Sequence, residues 1–185
     1  MQLDCRGVTA PPPALQAYSY DWTKKAFGGG GTLSMDGQRC HLTAPVKNIE
    51  TRLVSVDNLA AGDVLMLADV VPTEPVPQVE VGFKYGCDTT NCLYAYIWTP
   101  DSTIQVWDGG TNLAAKPMTL QAGTNRLMLA IHQNVMRVWL NGQLIATGTA
   151  ARTHGAGPYV LFMENWNTTG SISVDVLQFD VFRLA

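Results

Sequence analysis

The sequence predicts an all-β fold, a two-sheet antiparallel jelly-roll sandwich. Three observations carry that expectation. In Asn125–Thr149, Asn141-Gly142 sits between two apolar runs; both central residues of a type I′ hairpin turn need positive φ, which Asn and Gly tolerate. Ile172–Leu184 is rich in β-branched and aromatic residues and holds few strong helix formers. No window sustains a 3.6-residue apolar period over three helical turns.

The elements follow in chain order. Residues 1–16, with Pro11-Pro12-Pro13, read as an extended strap or linker. Residues 17–185 then form a single jelly-roll domain, a length that suits one β-sandwich. Tyr18–Trp22 opens the strands. Gly28–Gly31 is a loop without a following Lys-Ser/Thr or helix, so it does not match a phosphate-binding loop. Asp36-Gly37 joins Thr32–Met35 to Gln38–Thr43 as a second hairpin. Strand candidates continue at Ile49–Val56, Val64–Val71, Val79–Tyr85, Leu93–Trp98 and Thr103–Trp107. After a loop around Leu113–Gly123 come Arg126–His132, Val135–Leu140, Gln143–Thr147, Tyr159–Glu164 and Ile172–Leu184. Val70–Pro77 carries three prolines and reads as a crossing between sheets, because proline cannot donate to a central ladder.

Composition removes several function classes. Only 15 % of residues are charged, and the net charge is −3 with no cluster of Lys or Arg. A nucleic-acid partner would need a basic stripe. No apolar run reaches the length of a membrane span, so direct membrane insertion is not expected. Met1-Gln-Leu-Asp-Cys5 shows no signal-peptide pattern and reads as the start of an excised domain. Four cysteines, Cys5, Cys40, Cys87 and Cys92, allow three pairings. A bridge across the Cys87–Cys92 hairpin mouth is geometrically natural, and Cys5–Cys40 follows by elimination. Reduced, partly buried thiols are the other reading. Bridges imply an oxidising location, extracellular or at the cell surface.

Three segments fall in a familiar order: Val81–Tyr85 followed by Leu93–Ile97, then Asn125–Ile131 with the hairpin Val138–Ile145, then Gly170–Leu184 with Phe179-Asp180-Val181-Phe182-Arg183. This order resembles the concanavalin A-like lectin/glucanase superfamily, and within it the laminin-G-like modules of bacterial extracellular proteins. The resemblance spans residues 17–185 and implies a curved front sheet that binds glycans or other extracellular ligands. It also implies a structural calcium, for which Asp180 with Asp21 or Asp57 would supply hard oxygen ligands. No other cofactor is expected. No Asp-x-Asp-x-Asp-Gly loop is present.

Catalysis is disfavoured. Hydrolases of that superfamily carry a Glu-x-Asp-x-x-Glu strand, and none of Glu50, Glu74, Glu80 or Glu164 has an acidic residue two positions away. Asp175 and Asp180, five apart on one strand, point to opposite faces if the pairing is regular. Glu80 and Glu164 remain able to meet across strands. A binding face is better supported. Alternation puts Tyr94, Tyr96 and Trp98 on one side of their strand and Leu93, Ala95 and Ile97 on the other. The rings, with Trp107, would stack on sugar faces. Glu80, Lys84, Gln105 and Arg137 would orient hydroxyl groups. The same stripe also fits core packing. The leading expectation is therefore a non-catalytic carbohydrate-binding module, a sensor or targeting part of a larger protein. A protein-interaction module meeting a neighbouring domain is the alternative, and a glycoside hydrolase comes last.

Overall fold

Strand alternation sorts the side chains of this computed structural model into two layers. The structure describes residues 1–58, 63–71, 78–86, 92–151 and 156–184. Its first eight strands are β1 (Gln2–Asp4), β2 (Leu15–Asp21), β3 (Ala26–Phe27), β4 (Thr32–Met35), β5 (Cys40–Ala44), β6 (Ile49–Ser55), β7 (Val64–Val71) and β8 (Val79–Tyr85). The next four are β9 (Leu93–Trp98), β10 (Thr103–Asp108), β11 (Thr111–Pro117) and β12 (Asn125–His132). The last are β13 (Val135–Leu140), β14 (Gln143–Thr149), β15 (Tyr159–Asn165) and β16 (Ile172–Arg183). All described pairings are antiparallel, and no described helix is long and apolar enough to cross a membrane.

The back sheet runs β14-β13-β12-β7-β16-β5-β4, and β1 continues along the edge of β16 where β5 leaves it. The front sheet runs β11-β10-β9-β8-β15-β6-β2-β3. The main core fills the space between them. Met66, Ala68, Leu127, Leu129 and Phe179 come from the back sheet; Phe83, Ala95, Ile97 and Leu161 come from the front. Phe83 and Phe179 stack across the layers with centroids 6.0 Å apart. Burial of this apolar surface is the main force holding the layers together.

The Asn141-Gly142 turn has φ of 53° and 81°, both positive as a type I′ turn requires. Asn141 also uses its amide. Its oxygen accepts the Arg126 N–H at 2.8 Å, and its nitrogen donates to Asn125 at 3.0 Å. Asn141→Ala is therefore expected to cost about 1–2 kcal/mol, from the lost hydrogen bonds and the left-handed strain together. Urea denaturation checks this, and an unchanged midpoint contradicts it.

Several expectations are corrected. The first residues do more than strap: β1 pairs with β16 and Leu3 is buried, while the Cys5–Cys40 bridge is the expected one. Cys92 is disulfide-bonded as well, while Cys87 lies outside the described residues. Residues 111–117 form an edge strand paired with β10, because the Gly109-Gly110 turn folds the chain straight back. Part of the proline-rich crossing, residues 72–77, lies outside the described residues, as does Glu74. In β16 the register shifts between Val176 and Gln178. This bulge places Asp175 and Asp180 on the same outward face, opposite Val71 and Leu67, rather than on opposite faces.

Candidate functional site

The outer face of the front sheet is built as three rows of side chains set by strand register. The first row reads Tyr20, Glu50, Glu164, Glu80, Trp98, Thr103 across β2, β6, β15, β8, β9 and β10. The second reads Tyr18, Arg52, Phe162, Gly82, Tyr96, Gln105, and the third Gln16, Val54, Val160, Lys84, Tyr94, Trp107. The inward partners Leu93, Ala95 and Ile97 are at most 1 % exposed and belong to the main core. Tyr96, Val160 and Phe162 form a second, separate cluster with Tyr94, Trp98 and Trp107 packed against it.

Gly82 makes the centre of this face flat. A Cβ there would lie 2.2 Å from the Ala95 carbonyl oxygen and 2.5 Å from Tyr96 Cα, so no other residue fits without displacement. The space lets Tyr96 meet Phe162 edge-on, with centroids 6.2 Å apart. Tyr94 stacks on Tyr96 at 5.8 Å and on Trp107 at 5.9 Å, with interplanar angles of 11° and 6°. Gln105 fixes the set: its carbonyl oxygen accepts from Tyr96 Oη and Trp107 Nε1, each at 3.0 Å. Tyr94 donates to the Gly109 carbonyl at 2.8 Å.

Beside the rings lies a charged floor. Glu50 is fully buried and takes both its oxygens to Lys84 Nζ at 2.7 Å, one to Arg52 Nε at 2.6 Å and the other to Trp22 Nε1 at 2.7 Å. Burial raises the pKa of such a carboxyl, but Lys84 and Arg52 outweigh it and hold Glu50 below its ordinary value. Lys84 Nζ lies 4.1 Å from the Phe162 ring centroid, and the Arg52 guanidinium lies 4.8 Å from that of Tyr20. Glu80 and Glu164 have no such support. Burial pushes Glu80 up to about 7, and burial together with the neighbouring Glu80 and Glu50 charges pushes Glu164 up to about 9. Burial likewise raises Tyr94 to about 12 and Tyr96 further.

Of these groups, Glu80, Glu164, Arg52, Lys84, Tyr94, Tyr96 and Trp107 line an open groove of about 1090 Å³. One wall is Tyr18, Tyr20, Trp22 and Phe27 from β2, β3 and their connection; the opposite wall is Tyr94 and Trp107. Trp166 closes one end and contacts Trp98 at 4.6 Å between centroids. The indole nitrogens of Trp98 and Trp166 are buried without a hydrogen-bond partner.

Of the residues expected from the sequence, Tyr94, Tyr96, Trp98, Trp107, Glu80, Lys84 and Gln105 share this face. Arg137 does not. It lies on β13 in the back sheet, between β12 and β14, and turns outward because Met136 and Val138 fill the core. Lys84, which lines the groove, is engaged by Glu50, and Gln105 by the ring hydroxyl and indole, so both help to position the face. The β2 wall, Glu50, Arg52 and Glu164 were not among the expected binding residues. The alternation Tyr18, Tyr20, Trp22 was visible, but its direction depends on β2 pairing with β6.

The aspartates expected to hold calcium are separated. Asp21, on the front sheet, accepts the Thr23 and Lys24 amides at 2.9 and 3.1 Å and pairs with the Lys24 ammonium. Asp180, on the back sheet, accepts from Gln178, and Asp57 lies beyond β6 with its carbonyl held by Ser55. Asp180 Oδ1 is buried without a partner, but among the described residues no group of three His, Cys, Asp or Glu side chains could share a metal. The expected pair does not fit one ion.

No family model matches the chain, and no curated protein matches it either. Solved structures do. Carbohydrate-binding module CBM66 from Bacillus subtilis superposes with a TM-score of 0.63 at 10 % identity, covering 90 % of this chain and 96 % of that one. The VIP36 exoplasmic/lumenal domain in its Ca2+/Man-bound form gives 0.71 at 14 % identity, covering 99 % and 89 %. The fold is the lectin-like jelly roll. The Emp47p carbohydrate recognition domain agrees, with a TM-score of 0.70, 13 % identity and coverage of 100 % and 95 %. At these identities the likeness establishes the architecture, and the function of this jelly roll has to come from its own face.

Proposed function

We propose that the chain is a glycan-binding jelly-roll domain that seats its ligand in the groove on the front sheet. The observation that carries this is the convergence of aromatic faces with buried, hydrogen-bonding polar groups on an outward sheet face, separate from the main core. Sugar rings stack their C–H faces on such aromatics, while indole N–H and carboxyl groups take the hydroxyls. The likeness to CBM66 and to the Emp47p carbohydrate recognition domain supports the reading. The Cys5–Cys40 bridge supports an extracellular or luminal setting, where a sensor or targeting role would operate. The narrower kinship to laminin-G-like modules rests on the sequence segments alone.

Trp22→Ala with Trp107→Ala should weaken the best ligand on a glycan array by at least tenfold, because each removes one wall of the groove. The variant should still unfold cooperatively, since both rings lie outside the space between the sheets, at a midpoint lowered by loss of the hydrogen bond that Trp22 donates to Glu50. Retained affinity, or loss of folding, defeats the assignment.

One observation favours a second reading. Glu80 and Glu164 are direct cross-strand partners, and retaining glycosidases hold two carboxyl groups about 5–5.5 Å apart. Release of reducing ends from an array-positive oligosaccharide, lost in Glu80→Gln, would move the domain from binder to hydrolase.

A further inference from the structure

We propose, resting on the glycan reading, that the groove selects an amino sugar: a saccharide whose protonated amine sits between Glu80 and Glu164 with a hydroxyl against Trp166. Register makes the two glutamates immediate neighbours on β8 and β15, and both line the groove. They are 7 % and 6 % exposed, yet no described side chain closes a hydrogen bond to either carboxyl. The Trp166 indole points toward Glu80, but its nitrogen completes no bond.

The cations that would ordinarily compensate them are committed elsewhere. On β6, Arg52 bonds Glu50; on β8, Lys84 bonds both oxygens of Glu50. Lys47, in the turn before β6, lies 5.4 Å over the Trp166 ring and forms no ion pair with the two acids among the described residues. From β9 the facing groups are Trp98 and Tyr96, which carry no charge at neutral pH. Two buried carboxyl groups that Lys84 and Arg52 reach only at a distance, with no ion pair of their own among the described residues, keep a proton, which is the direction both show. An incoming ammonium removes the need for that proton, lets both acids ionise, and gains from adjacent aromatic faces.

One remaining group has the opposite polarity. Trp166, which lines the groove, carries an indole N–H without an acceptor among the described residues, and a hydroxyl next to the amine supplies one. Uronate or sulfated sugars would bring a second negative charge to the same place and are disfavoured.

The test is titration calorimetry at pH 7 with four hexasaccharides: glucosamine, N-acetylglucosamine, glucose in β-1,4 linkage, and galacturonate. The glucosamine hexamer should bind at least tenfold tighter than the two neutral ones, with no binding of the galacturonate. Repetition in buffers of different ionisation enthalpy should show a proton released on binding. Glu164→Gln and Glu80→Gln should erase the preference, bringing the glucosamine hexamer level with the neutral ones, with unfolding midpoints confirming that each variant folds. Equal or tighter binding of a neutral hexamer overturns the amine assignment and leaves the glycan reading intact. A lysine hexapeptide binding as well as the amino sugar overturns it in favour of peptide recognition. No binding of any saccharide removes both.

Discussion

Lys84→Met should destabilise the domain by about 3–5 kcal/mol, the cost of leaving a buried carboxylate short of its main counter-charge. Glu50 is 0 % exposed and depends on Lys84 for two of its hydrogen bonds, with Arg52 and Trp22 supplying the others. Methionine preserves the length of the stem, which separates the electrostatic loss from a packing loss against Phe162. The double variant Glu50→Leu with Lys84→Met should recover most of the stability, since a buried pair replaced by apolar groups is often neutral. Urea unfolding decides it: a single variant within 1 kcal/mol of the parent would show that Arg52 alone sustains Glu50. The pH dependence has a defined sign. Because the folded pKa of Glu50 is depressed, its contribution is present above the ordinary value of 4.5 and fades as pH falls through the folded one.

Glu164→Gln should act in the opposite direction, stabilising the domain at pH 8 and hardly at all at pH 4. Glu164 and Glu80 have raised folded pKa values, so their protonated forms fit the fold. Such an acid is tolerated fully below 4.5, and stability is lost as pH rises through the folded values near 7 and 9. Glutamine keeps the shape and removes the ionisation. Thermal melts of parent and variant across pH 4–9 test this; curves that stay parallel would mean that water or a neighbouring cation already supports the charge. A group that costs stability at working pH and lines a groove is the pattern expected where binding, not folding, sets the residue.

Much of this fold was legible because β-structure has a period of two. The alternation of Leu93–Trp98 placed its aliphatic side in the core and its rings outward, and Asn141-Gly142 marked its hairpin without ambiguity. What escaped was non-local. Arg137 alternates correctly for an outward side chain, but β10 is flanked by β9 and β11, while β13 sits between β12 and β14 in the other layer. Local sequence does not encode which strand becomes a neighbour. The bulge in β16 is a single extra residue, and it reverses the facing of Asp180 relative to Asp175. The sequence left Glu80 and Glu164 able to meet across strands, but Glu50 looked like an isolated acid. Only pairing of β6 and β8 on either side of β15 reveals three glutamates in one line.

The pairing of β1 with the last strand has a practical consequence. Met1 hydrogen-bonds the Val181 carbonyl, and Leu184 bonds the Asp63 carbonyl, so both described ends are anchored in the layer that does not carry the groove. A tag, surface linkage or fused domain joined at either end starts from the reverse side of the sandwich. Immobilised by its N- or C-terminus, the domain should present an unobstructed cleft to analyte.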